Sequence, residues 1–292
     1  MLISMNEILQ HANAHHYAVA APNVCWELEA RAVIEAAEMM NAPLILDIAF
    51  VLHPDPIFLG SYLTRLADES NVPIAINQDH GGKFSEAIAC IRGGFTGIMV
   101  DRSQLPFEEN VAQVKELTRI AHSVGVSVEA ELGHVGEAQI YDPTDKSSFT
   151  KPAEAMRFVE ETGIDSLAVA IGSAHGLYKG TPKLDFDLLK EIKEIVKIPL
   201  VLHGGSGTGD ENLRKACTMG INKVNVFSEL AMNAYSEVRN ADTSKEPPYM
   251  LFNHIQDGFR NRLCELIEVF GSKDKNWSGR TKGIRGKQVI FE

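Results

Sequence analysis

Short apolar runs rich in Val and Ile alternate along the chain with longer stretches of helical period. The runs predict strands over Tyr17–Val24, Pro43–Ala49, Pro73–Asp79, Gly97–Asp101, Ser127–Leu132, Ser166–Ile171, Pro199–His203 and Lys223–Val226. Most are nearly continuous in apolar residues, as expected for parallel strands covered on both faces. Between them, Ala30, Val33, Ile34 and Ala37 recur at helical spacing in 27–40, as do Val114, Leu117 and Ala121 in 107–123 and Leu189, Ile192 and Val196 in 187–196. Gly and Pro mark the junctions, and Pro43, Pro73 and Pro199 open strands where a missing N–H costs little.

Eight strands, each followed by a helix or a helix-length stretch, predict an α/β fold in which a (β/α)₈ TIM barrel closes on itself. An open doubly wound sheet fits less well, because no GxGxxG follows the first strand. The barrel is expected over about 1–238 and a C-terminal extension over about 239–292, with a helix near 252–269, all in one domain. The chain of 292 residues suits one such barrel. A formal net charge of −11 argues against nucleic acid or an anionic membrane as partner. It does not exclude an anionic small molecule held by local N–H groups. No signal peptide is expected at the N-terminus, and no apolar run reaches membrane-spanning length. Cys25, Cys90, Cys217 and Cys264 form no CxxC pair and read as reduced thiols of a cytoplasmic protein.

Of ten histidines, seven (His11, His15, His16, His53, His122, His134 and His254) have ordinary settings. His80, His175 and His203 differ: each ends or follows a strand and each precedes a glycine. In a barrel all three lie at the C-terminal mouth, where three neutral imidazoles supply the ligand count of a catalytic zinc site. Asp79, Asp101, Glu129 and Glu131 sit at strand ends or inside apolar strands, where a carboxylate is costly unless it binds metal, pairs or hydrogen-bonds. Glycine-rich His203-Gly204-Gly205-Ser206-Gly207 and the run Val224-Asn225-Val226-Phe227-Ser228 leave the last two strands, the usual phosphate seat of a barrel.

Asp79-His80-Gly81, Val128-Glu129-Ala130-Glu131-Leu132-Gly133, Ala168 to Gly176, Leu200 to Gly207 and Lys223-Val224-Asn225-Val226 resemble the motifs of the class II zinc-dependent fructose-bisphosphate and tagatose-bisphosphate aldolases, in order and spacing, over roughly residues 1–238. The resemblance implies a lyase that cleaves a phosphorylated ketose to dihydroxyacetone phosphate and an aldehyde, working as a homodimer or homotetramer. It implies His80, His175 and His203 as zinc ligands, Asp79 as the proton-transfer residue, and Asp101 and Glu129 at a second metal position; a monovalent cation is also admitted. Asn23, Gly176, Lys179, Gly204, Gly205, Ser206, Asn225, Val226, Phe227 and Ser228 match the substrate site. A Schiff-base lysine has no candidate, since only Lys223 falls within a strand, at the edge of the eighth.

The chain departs from the family pattern in several places. Asn77-Gln78 precede Asp79 in place of a His-Leu-like pair, and Ala21-Pro22-Asn23 replaces Ala-Phe-Asn while keeping Asn23. Arg102 follows Asp101 where Gly is usual; it is read either as a cation for an anionic substrate group or as a solvated loop residue. In the loop 133–150 the C–H proton acid is displaced, leaving Glu137 or Asp142 for that role, and a loop of this length would suit a lid. Two other readings stay open: a metal-dependent sugar-phosphate isomerase or epimerase, and a non-catalytic phosphosugar-binding barrel.

Overall fold

The computed structural model describes residues 1–277 other than 54, 143, 179 and 243, and the backbone of a two-stranded pair at 281–282 and 288–289. The eight expected strands form: β1 (Val19–Pro22), β2 (Leu44–Ala49), β3 (Ile74–Gly81), β4 (Gly97–Val100), β5 (Ser127–Leu132), β6 (Ser166–Val169), β7 (Leu200–Leu202) and β8 (Ile221–Val226). They pair in chain order, all parallel, and β8 returns to β1 through Val19↔Lys223 and Ala21↔Asn225, closing the barrel. Apart from His80 at the mouth end of β3, the strand residues are buried, as the continuous apolar runs require.

Helices α2 (Glu27–Met39), α3 (Pro56–Glu69), α4 (Phe84–Arg92), α5 (Phe107–Ser123), α6 (Pro152–Thr162), α7 (Phe186–Ile195), α8 (Asp210–Thr218) and α9 (Ser228–Asn240) follow the strands, and α10 (Leu251–Val269) forms the expected C-terminal helix. An additional helix, α1 (Met5–Ala14), precedes β1. Its Met5, Ile8, Leu9 and Ala12 lie on one face and pack against Val19, Ile45 and Ala75, which stops the N-terminal end of the barrel with an apolar plug. The opposite end is therefore where polar chemistry can collect.

Inward side chains of the barrel include an apolar and a polar group. Met99, Ala168 and Val201 from β4, β6 and β7 form a small apolar cluster. Interleaved with them, Asp47, Asn77, Glu129 and Lys223 from β2, β3, β5 and β8 are all fully buried, Glu129 pairing in register with Met99 and Lys223 with Val201. Lys223 Nζ lies 3.0 Å from a carboxylate oxygen of both Asp47 and Glu129. It thus belongs to the barrel interior, and not to the edge position expected from the shorter strand 223–226. The physical reason is that β8 begins two residues earlier, at Ile221, which sets Lys223 well inside the sheet beside Val19.

The outer wall is sealed by α10, which packs across α9 and α2. Gly258 makes this approach possible, because a Cβ there would overlap the Ala234 backbone. Gly258→Ala is expected to lower unfolding free energy by about 1–3 kcal/mol, the usual cost of overpacking. Denaturant unfolding measures it, and wild-type stability would show that the two helices separate freely.

Candidate active site

Successive residues of a strand point to opposite faces, so Asp79 and His80 could not both face the mouth from a regular β3. The register of β3 against β4 shifts between Gln78 and Gly81, and His80 has φ 47°, in the left-handed region. This irregularity turns His80 into the mouth beside Asp79, with His80 Nε2 3.9 Å from Asp79 Oδ1. A left-handed conformation at a non-glycine residue stores strain of about 1–3 kcal/mol, and such strain concentrates at functional sites.

His175 and His203 come to the same point from the loops after β6 and β7. His80 Nε2 and His175 Nε2 lie 3.0 Å apart, and the ring centroids are 4.7, 4.7 and 5.7 Å apart. One nitrogen from each ring falls within 4.8 Å of the others. Tetrahedral coordination with metal–nitrogen bonds near 2.0–2.1 Å places ligand nitrogens about 3.3 Å apart. The three imidazoles therefore fit one divalent metal ion.

Two of the rings are also fixed from behind, and the third residue through its backbone. His203 donates from Nε2 to Glu129 Oε1 at 2.8 Å, which leaves Nδ1 as its ligand atom. His80 donates from Nδ1 to Asp101 Oδ2 at 2.9 Å, which leaves Nε2. His175 is held by its backbone: its N–H donates to the Gly136 carbonyl at 2.7 Å, and its carbonyl accepts from Ala138 N–H at 2.8 Å. Burial, with His203 and His80 nearby, pushes the His175 imidazole down to about 4, so it stays neutral. Burial opposes protonation of His80, but Asp79 and Asp101 outweigh it and push the imidazole up to about 10. The field at this point favours positive charge.

Asp79 is buried and gripped on both oxygens. Asn23 Nδ2 donates to Oδ2 at 2.8 Å and Asn225 Nδ2 to Oδ1 at 3.2 Å. Burial would raise its carboxyl, yet His80, His203 and Lys223 together hold it well below the ordinary range. Beside it opens a cavity lined by Asn23, Gly176, Gly204, Ser206, Asn225, Val226, Phe227 and Ser228 together with Asp79, His175 and His203. Gly205, expected among the substrate contacts, does not line it and instead packs on β8, its N–H donating to Asn225 O at 3.0 Å. Gly204 has φ 66°, and a Cβ there would overlap the Ala174 carbonyl, so the loops after β6 and β7 can touch only through glycine. Ser206 Oγ accepts from the N–H groups of Phe227 and Glu229, at the start of α9. A larger cavity of about 760 Å³ lies elsewhere, beside Lys146, Phe186 and Lys215, and contains none of these groups.

The sequence model of the family described as fructose-bisphosphate aldolase class-II matches residues 3–275. The chain is 36% identical over 285 residues to a fructose-bisphosphate aldolase of Staphylococcus aureus, covering 94% of this chain and 99% of that one. A Geobacillus stearothermophilus fructose-bisphosphate aldolase is also 36% identical, with 94% and 98% covered. The crystal structure of the YdjI aldolase from Escherichia coli K12 superposes with a TM-score of 0.84 at 33% identity, covering 94% of this chain and all of that one. This chain belongs to the class-II fructose-bisphosphate aldolase family.

As a class-II aldolase the protein is a lyase, and its family departures can be placed in space. Among the described residues Asp101 and Glu129, expected at a second metal position, do not share a metal-ligating group. The group that forms is His80, Asp101 and Glu131, and one buried Glu131 oxygen has no hydrogen-bond partner. Both glutamates point inward from β5, but Glu129 lies one layer deeper, engaged by His203 and Lys223. Two-residue periodicity gives the face and not the depth.

Arg102 does not line the cavity beside Asp79. Its Nη1 donates to the carbonyls of Gly81 and Asp101 at 2.8 and 2.7 Å, and Nε to Gln113 at 2.7 Å, tying the ends of β3 and β4 to α5. In the loop 133–150 both candidate acids are exposed. Asp142 Oδ1 accepts from Thr144 N–H and Oγ1–H, whereas Glu137 is bridged through its backbone to His175. Neither lines the Asp79 cavity. Lys179 lies outside the described residues. Sequence reasoning missed Tyr178, whose hydroxyl donates to Ala174 O at 2.7 Å and lies 3.1 Å from Gly204 O, stitching two mouth loops together. It also missed the connection of Lys223 to Asn225, at 2.8 Å.

Arg102→Ala should leave the KM for substrate within about twofold while lowering stability by about 1–3 kcal/mol, because two carbonyls lose their donor. Steady-state kinetics with thermal unfolding checks both, and a large rise in KM would restore Arg102 to the substrate site.

Proposed function

We propose that this aldolase is zinc-dependent and cleaves a phosphorylated ketose between C3 and C4, releasing dihydroxyacetone phosphate and an aldehyde. The observation that carries the reading is the meeting of three imidazoles beside a buried carboxylate held by two amides. Fructose 1,6-bisphosphate is the first candidate, on the names of the relatives; tagatose 1,6-bisphosphate and related ketose phosphates follow. His80 Nε2, His175 Nε2 and His203 Nδ1 would hold the metal. When bound, zinc supplies Lewis-acid stabilisation of the charge that develops on the three-carbon fragment.

The remaining work falls to the protein. Asn225 and Asn23 hold the Asp79 carboxylate ready to take the C4 hydroxyl proton. The electron pair of the broken bond stays with the three-carbon fragment, and in the condensation direction Asp79 returns the proton. Gly176, Gly204, Ser206 and the first turn of α9 offer the phosphate seat. Glu137, set beside His175, moves the C–H proton in preference to Asp142. Lys223 is unsuited to Schiff-base chemistry: burial opposes its charge, but Asp47 and Glu129 outweigh this and keep the ammonium protonated. The protein is read as a cytoplasmic homodimer or homotetramer. Among the described residues no helix is long and apolar enough to cross a membrane.

Dihydroxyacetone phosphate release from a panel of phosphorylated ketoses, with and without a zinc chelator, tests the activity; interconversion of ketose and aldose phosphates without a three-carbon product would replace it with isomerase chemistry. Asp79→Ala should keep bound zinc and lose at least about 10²-fold in kcat, whereas His203→Ala should lose both metal and turnover. Zinc analysis of the purified variants decides, and a fully active, metal-free His203→Ala protein would refute the ligand set. Glu137→Gln, and not Asp142→Asn, should slow exchange of the dihydroxyacetone phosphate C–H proton with deuterated solvent; the opposite result would move the role to Asp142.

A further inference from the structure

The floor of the site contains a charged group for which the aldol reaction as described has no use. Lys223 is fully buried, and its ammonium donates to Asn225 Oδ1 at 2.8 Å and forms ion pairs with Asp47 Oδ2 and Glu129 Oε2, each 3.0 Å away. Two of these partners continue directly to the reacting groups. Glu129 accepts from His203 Nε2 through its other oxygen at 2.8 Å, and Asn225 donates its amide to Asp79 at 3.2 Å. The third partner, Asp47, turns away from the mouth and accepts from Asn77 Nδ2 at 2.8 Å.

We infer that Lys223 is a positioning residue that sets the Asp79 carboxylate and the His203 ring at the same time. The amide of Asn225 could be placed either way round. With Lys223 donating to its oxygen, only the nitrogen end can face Asp79, and the carboxylate receives a donor in place of a repelling carbonyl. Likewise, Glu129 is held between Lys223 Nζ at 3.0 Å from one oxygen and His203 Nε2 at 2.8 Å from the other, which orients the imidazole with Nδ1 toward Asp79 and the other two rings. Asp47 is the second carboxyl against the ammonium, 3.0 Å away. It does not lead to the site.

The inference rests on the zinc-aldolase reading for its kinetic consequence, but its metal consequence can be read without turnover. The test pairs Lys223→Met with Asp47→Asn, so that the buried ammonium and one paired carboxyl are removed together. The expected result is a folded protein whose kcat falls roughly 10²-fold from misplacement of Asp79, with KM within about threefold. Its zinc affinity, measured by chelator competition, should weaken on the order of 10–100-fold. Asp47→Asn alone, which leaves both site contacts of Lys223, should retain wild-type zinc affinity. A double variant that is less stable yet unchanged in kcat and zinc affinity would reduce Lys223 to a purely structural part and overturn the inference. Absence of aldolase activity in the wild-type protein would sink the functional reading instead, leaving the zinc arm to judge Lys223. If the double variant does not fold, ¹⁵N shifts of His203 in the wild-type zinc-loaded protein decide. Metal on Nδ1 is expected; metal on Nε2 would break the line from Lys223 through Glu129.

Discussion

The site depends on an imbalance of charge inside a closed barrel. Asp47, Asp79, Glu129 and Glu131 are all buried in its interior, and among the described residues Lys223 is the single ammonium beside them. The Arg102 guanidinium, also buried, faces loop carbonyls instead. Unpaired buried carboxylates cost several kcal/mol each; burial pushes the Asp47 carboxyl up to about 7, which relieves part of that cost, and positive charge near the mouth relieves more. Protonation of His80 is one answer and a divalent metal between the three imidazoles is another. The apolar plug of α1 ensures that this demand is met only at the C-terminal end, where substrate can arrive.

Much of this was legible in the chain. The period of the apolar runs located all eight strands, because parallel strands buried on both sides leave an unambiguous trace. His80, His175 and His203 were legible because each interrupts that trace where a strand runs out. α1 went unassigned, although Met5, Ile8, Leu9 and Ala12 have its spacing, because a helix before the first strand has no place in a simple β-then-α alternation. Three other misreadings share a cause. The depth of Glu129, the loop carbonyls claimed by Arg102 and the inward position of Lys223 are all settled by partners many residues away. Local pattern tells which face a residue takes; pairing across the barrel tells what it meets there.

The mouth combines regular and irregular backbone for different ends. β5 and β8 turn Glu129, Asn225 and Lys223 to the inner face, although β8 shifts register against β7 beside Lys223, so that polar contacts cross the barrel beneath the three imidazoles. The irregular turn at His80 brings two consecutive residues to one side, which no regular strand could do. Glycine at 204 then lets neighbouring loops approach closely enough for Tyr178 to bridge them. Rigidity below and shaped loops above are how a barrel floor can stay constant while its rim varies.

The backbone bridge between the loop after β5 and His175 has a mechanical consequence. The amide and carbonyl of His175 are both engaged by Gly136 and Ala138, so this stretch behaves as an anchor shared by the loop and an imidazole. The loop is held a second time at Tyr141, whose hydroxyl accepts from the Lys183 N–H at 2.9 Å and whose ring meets that of Tyr178 edge to face. Glu137 therefore lies within the stretch bridged to His175, and Asp142 lies past the second anchor. Two acids only five positions apart are, in effect, bolted to different parts of the machine.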